Sequence, residues 1–126
     1  MLDADTRLPI ASATIKTDKG EITTSGQNGA YLLYVSPGPK IITATAAGHF
    51  DSSGINMTLD PAQTIYININ LTREYVLRVS VAGTGSGAVT TSDTVISCGC
   101  LCSGAYNLGD VINLTAAPSS SSTFSG

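Results

Sequence analysis

The chain has 126 residues, 42% of them hydrophobic and only 12% charged, with a formal net charge of −3. Six Lys and Arg leave no basic field for nucleic acid or an anionic membrane. No stretch reaches the roughly 18 consecutive apolar residues of a spanning helix, and the low charge with abundant β-branched residues argues against disorder.

Helix formers (Glu, Lys, Gln, Arg, Leu, Met) are sparse beside Thr, Ile and Val, so strands are expected. The run ASATIKT (11–17) places Ala11, Ala13 and Ile15 on one face and Thr14 and Lys16 on the other, a half-buried strand. Asp18-Lys19-Gly20 turns the chain into EITTS (21–25), and Gly26-Gln27-Asn28-Gly29 reverses it again. AYLLYV (30–35) is nearly all apolar and predicts a central strand, broken by Ser36-Pro37-Gly38-Pro39. KIITATA (40–46) sets Ile41, Thr43 and Thr45 opposite Ile42, Ala44 and Ala46, before a corner at Ala47-Gly48-His49-Phe50. INMTL (55–59) reads as a strand stopped by Asp60-Pro61. TIYININL (64–71) alternates most cleanly, with Ile65, Ile67, Ile69 and Leu71 inward and Tyr66, Asn68 and Asn70 outward. Thr72-Arg73-Glu74 interrupts the pattern and marks the expected domain boundary. Beyond it, YVLRVSVA (75–82), the glycine-rich turn 83–87 and AVTT (88–91) predict a hairpin. The run 94–97 leads into three cysteines, and VINLTAA (111–117) is a last strand ended by Pro118. Short strands with regularly spaced turns argue for a β-sandwich.

In the first 72 residues, DADTRLPIASATI, GQNGAYLLYVSPGP, ATAAGHF and IYININL follow one another in order. On these segments the region resembles a carboxypeptidase regulatory-like domain, the transthyretin-like sandwich of many secreted bacterial proteins. Asn28-Gly29-Ala30-Tyr31-Leu32-Leu33 fills that family's hairpin position and Pro37-Gly38 its turn; His49-Phe50 stands where an aromatic usually follows Gly directly. The family's first strand would precede Asp3, and with no leader segment visible after Met1 the chain reads as an excised or processed fragment.

Residues 75–126, carrying YVLRVSVAGTGSGAVTTSDTVISCGCLCSGAYNLGDVINLTAAPSSSSTF, resemble the first part of a divergent InlB-type B-repeat, a bacterial repeat domain. The resemblance implies an incomplete repeat with an unpaired, exposed strand edge, open to pairing with another chain.

Cys98, Cys100 and Cys102 read C-G-C-L-C. Fully extended, the outer two would stand about 13 Å apart, too far to bridge, whereas Gly99 permits a tight turn. A bridge, a soft-metal site and three reduced thiols all remain open on spacing, although no His or fourth Cys stands nearby to complete a tetrahedral shell. The repeat family's C-G-x-x-C loop implies a Cys98–Cys102 disulfide, with Cys100 left as a free or intermolecular thiol. Such a bridge implies an oxidising compartment, the bacterial exterior or cell surface.

Other motifs read more plainly. Asp3 and Asp5 resemble the start of a calcium loop, but Thr6-Arg7-Leu8-Pro9 adds no carboxylate, so a solvated lead-in turn is expected; Asp51-Ser52-Ser53-Gly54 is likewise read as loop. The glycines of 83–87 open no helix and are read as a turn, not a phosphate cradle. The single histidine, His49, lies within four residues of Asp51 and Ser52, whereas a catalytic triad converges from separate elements, so a corner histidine is expected. Lys16 faces outward, Lys40 follows the Pro-Gly turn, and no Glu is evidently placed to catalyse an internal isopeptide bond. Asn56, Asn70 and Asn113 head glycosylation sequons. Tyr34 and Tyr66 project from the outer face as a candidate glycan platform, with cross-strand support as the plainer reading.

The sequence therefore predicts an all-β chain: a transthyretin-like/Ig-like β-sandwich over 1–72 and a small, incomplete β-repeat over 73–126. The expected function is a non-catalytic extracellular structural or adhesion module of a bacterial cell-surface or secreted protein. It would join other protein chains, as homo-oligomer or fibre, through strand edges; the alternative is a carbohydrate-binding accessory module. No cofactor, metal, nucleic acid or membrane insertion is expected.

Overall fold

The structure, a computed structural model, describes residues 1–99 and 102–125. It is all-β, with no helix among the described residues. The chain divides into two compact units, Met1–Glu74 and Tyr75–Gly126.

In the first unit the strands are β1 (Leu2–Asp3), β2 (Thr14–Thr17), β3 (Ile22–Thr24), β4 (Gly38–Thr45), β5 (Ile55–Leu59) and β6 (Asn70–Leu71). Four form an antiparallel sheet in the order β3-β2-β4-β5, while β1 and β6 pair in parallel. The period-2 pattern explains which faces are buried. Ile15, opposite Thr23 and Ala44, is buried with Ala13, Ile42 and Ala44, while Lys16 and Ile41 point outward. Ile10, Ile69 and Leu71 complete this core, and Tyr31, Leu33 and Ile67 pack against it. Gly29 closes the Asn28-Gly29 turn at φ 72°, where a Cβ would also strike the Met1 carbonyl oxygen.

Three expectations for this unit are corrected. Residues 30–35 form no strand, central or otherwise. Both sides of β4 are already taken by β2 and β5, so no central place remains. The segment instead runs extended, with Tyr31, Leu33 and Val35 half-buried, and Tyr31 Oη donating to the Ile67 carbonyl at 2.8 Å. Of TIYININL only Asn70 and Leu71 join a ladder, against β1. Its inward face persists but tapers from buried Leu71 and Ile69 through half-buried Ile67 to exposed Ile65, because the core thins along it. Finally, β4 begins inside the Pro-Gly break. Pro39 opposes Thr58, and β2 extends only as far as Ile42, so the proline has a single neighbour and its missing N–H is tolerated.

The second unit contains β7 (Tyr75–Arg78), β8 (Gly87–Thr91), β9 (Ser97–Cys98), β10 (Ser103–Tyr106) and β11 (Leu114–Pro118). β7 pairs with β10, and β11, β8 and β9 form a three-stranded antiparallel sheet. The expected hairpin between 75–82 and 88–91 is not formed. Both edges of β8 are filled by β9 and β11, and the flexible glycine-rich connection lets β7 take β10 instead. Gly104 permits that arrangement, because a Cβ there would lie 2.6 Å from Val95 Cγ1 and 3.1 Å from Ile96 Cγ1. Among the described residues the core is small: Ile96, Cys98 and Tyr106, with Leu77, Val79, Val89 and Ile112 packed against it. The strand expected from Val111 starts at Leu114, and Val111 is exposed.

Candidate functional site

Polar side chains in the first unit gather at two nodes. The first centres on Asp3, expected in a solvated turn but only 2% exposed. Asp3 Oδ1 accepts the Asp5 and Thr6 N–H groups at 2.9 and 3.0 Å, folding the lead-in into an Asx turn. Oδ2 accepts Arg73 Nη2 at 2.7 Å and Nε at 3.0 Å, and His49 Nε2 lies 3.1 Å away. The Thr6 N–H first, then Arg73, His49 and the Asp5 N–H, hold the Asp3 carboxyl well below the usual carboxylate range, against the opposing effect of burial. A carboxylate so fully engaged is a clamp and has no lone pair left for base chemistry. His49 Nδ1 faces the Ala47 carbonyl at 3.1 Å. Ser52 Oγ instead accepts the Ala44 N–H at 2.8 Å and Asp51 is exposed, so His49, Asp51 and Ser52 do not converge.

The second node surrounds Lys40, which the sequence left unassigned and the fold buries. Its Nζ lies 2.9 Å from Ser36 Oγ and 3.5 Å from Glu21 Oε1. Glu21 Oε1 also accepts the Ser36 hydroxyl at 3.1 Å, and Oε2 accepts the Thr17 hydroxyl. The Thr17 hydroxyl, with backbone N–H groups and the Ser36 hydroxyl, pulls the Glu21 carboxyl down to about 2. A Glu thus does stand beside Lys40, contrary to expectation. No Asn or Asp side chain hydrogen-bonds to Lys40 among the described residues, so the group is an ion pair and not an isopeptide acceptor arrangement. Lys16 is exposed, as its strand pattern requires. Nothing in the sequence marked these partners, which lie 70 residues apart at Asp3–Arg73 and 19 apart at Glu21–Lys40.

Cys98 and Cys102 form a disulfide with Cα atoms 4.4 Å apart, and Cys98 is buried in the second core. The Val79 N–H donates to the Cys102 carbonyl at 2.8 Å, tying the loop to the chain that follows β7. Cys100, expected as a free or intermolecular thiol, lies outside the described residues. Among the described residues no group of three or more His, Cys, Asp or Glu is placed to hold a metal ion, and no helix is long and apolar enough to cross a membrane. Tyr34 and Tyr66 are 83% and 94% exposed.

The second unit also presents open strand edges. Among the described residues β7 is paired only with β10, and β11 only with β8. Val76 on β7 and Leu114 on β11 are exposed, as are Val111 and Phe124. The unit holds three of the chain's charged residues, Arg78, Asp93 and Asp110, and Arg78 alone lies on one of these two edge strands.

Comparison with protein-family models, curated proteins and solved structures gives no match to this chain. Fold and geometry define it as an all-β, disulfide-containing protein of two units.

Proposed function

We propose that the chain is a non-catalytic structural and adhesion module of a bacterial cell-surface or secreted protein that joins other chains through strand edges. In this reading the first unit is a transthyretin-like sandwich and the second a B-repeat-like unit. The supporting observation is two strands with a neighbour on one side only among the described residues, β7 and β11, which carry exposed Val76 and Leu114 beside a core of three buried apolar side chains among those residues. Unpaired N–H and C=O rows with little charge are templates for another strand. The Cys98–Cys102 bridge is compatible with an oxidising, extracellular setting. The two polar nodes support a non-catalytic reading, because their charges are consumed in holding loops.

Sedimentation velocity from about 1 µM to 1 mM tests the proposal. The mass is expected to rise with concentration, and Val76→Lys with Leu114→Lys to return the chain to monomer, since edge lysines oppose pairing. Strictly monomeric wild type would overturn it. A second reading, a carbohydrate-binding accessory module, draws on the exposure of Tyr34 and Tyr66. Glycan-array binding that Tyr66→Ala abolishes would favour it, and no binding removes it.

A further inference from the structure

The corner at His49 continues into a loop, residues 50–53, that forms one wall of a cleft of about 240 Å³ in the first unit. Residues 68–72 form the facing wall. The two walls are fixed by backbone hydrogen bonds, from the Phe50 N–H to the Thr72 carbonyl at 2.9 Å and from the Ser52 N–H to the Ala44 carbonyl at 2.9 Å. Ser52 Oγ accepts the Ala44 N–H in return. The cleft is therefore largely formed before any ligand arrives, which lowers the ordering cost of binding.

Ser52 apart, four of its polar side chains are uncommitted. Asp51, Ser53, Asn68 and Asn70 line the cleft and are exposed, and none of their side chains has a hydrogen-bond or ion-pair partner among the described residues. Phe50 and Ile55 add half-buried apolar surface between them. No Lys or Arg lines the cleft, so nothing there would neutralise a phosphate or carboxylate ligand. One carboxylate is too few for a calcium ion, which takes six to eight oxygen ligands. Two amides, one carboxylate and a hydroxyl supply mixed donors and acceptors, the set that vicinal hydroxyl groups satisfy. The volume falls below the roughly 300–1,000 Å³ of pockets for drug-sized ligands, so it fits a single ring.

We propose that this cleft binds a neutral sugar residue, with Asp51 accepting from its hydroxyls, Asn68 and Asn70 bridging them, and Phe50 and Ile55 against its C–H face. The site is independent of strand-edge pairing and of Tyr34 and Tyr66.

The test is a two-dimensional amide NMR titration of the full chain with the linear homotrisaccharides of glucose, mannose, xylose and N-acetylglucosamine, each a short oligomer of one neutral sugar. Asn70 heads a sequon, so the protein is made in a host without N-glycosylation. At least one sugar is expected to give saturable shifts confined to residues 50–53 and 68–70, including the Asn68 and Asn70 side-chain amides, with Kd of about 0.1–10 mM. Asp51→Ala and Asn68→Ala should each weaken it about tenfold, with the rest of the amide spectrum unchanged, whereas Tyr66→Ala should leave it unaltered. No saturable shift with any of the four sugars overturns the proposal. So do shifts centred on Tyr34 and Tyr66, or equal shifts from glycerol at matched hydroxyl concentration.

Discussion

Asp3 Oδ2 takes hydrogen bonds from a guanidinium 70 residues away, and in doing so ties the first strand of its unit to the segment that follows β6 and bridges His49. Ser25 does comparable work with no charge. Its buried hydroxyl donates to the Ile10 carbonyl at 2.6 Å and accepts the Ala13 N–H at 3.0 Å. Ser25→Ala leaves both backbone groups unpaired in the core, at a cost of about 2–4 kcal/mol in urea unfolding. The acidic side chains set the pH response. Asp3 and Glu21 are both held below their ordinary values of 3.8 and 4.5. As pH falls, the unfolded chain takes up these protons first, so their stabilisation is complete above about pH 4.5 and is lost as pH falls toward 2. The urea midpoint of the first unit should decline across that window. Glu21→Gln should flatten the decline, and an unchanged acid profile would show that Glu21 contributes nothing to it.

At the scale of elements, β2 shows how far periodicity reaches. Ile15 on β2 is fully buried, while Ile22 on the neighbouring β3 is 65% exposed. Ile15→Ala should therefore cost about 2–5 kcal/mol, and Ile22→Ala should stay within about 0.5 kcal/mol, both read by urea unfolding. The alternation of 11–17 and 40–46 was legible because a half-buried sheet imposes it on each strand separately. Partner choice was not. Residues 30–35 and 64–69 have the side chains of strands, yet ladders depend on which edges remain open after β2, β4 and β5 have assembled. The hairpin expected across 83–87 failed for the same reason: a sequence shows neighbours in the chain, and β7 found its neighbour in β10.

For the whole molecule, the two units differ in how they are stabilised. Among the described residues the first has an eight-residue buried cluster and two polar nodes, the second a three-residue cluster and a disulfide. Closing so short a loop restricts the unfolded chain by about 2 kcal/mol, a large share of what a small core supplies. Reduction with dithiothreitol should accordingly lower amide-exchange protection in β8, β9 and β10, while β2 and β4 keep theirs. Equal loss in both units would show that the bridge acts beyond its own core.

Composition and alternation by themselves determined the all-β class, the two faces of β2, the two opposed residue sets of β4 and the outward placing of Tyr34 and Tyr66, because each depends on local backbone geometry. The resemblance of the cysteine loop to a repeat family pointed to the Cys98–Cys102 pair. Only the tertiary structure decided that Asp3 and Lys40 are buried, that β7 pairs with β10, and that Phe50, Asp51, Asn68 and Asn70 share one cleft. Those outcomes join residues distant along the chain, and the competition among strands for a limited number of edges leaves no periodic trace in the sequence.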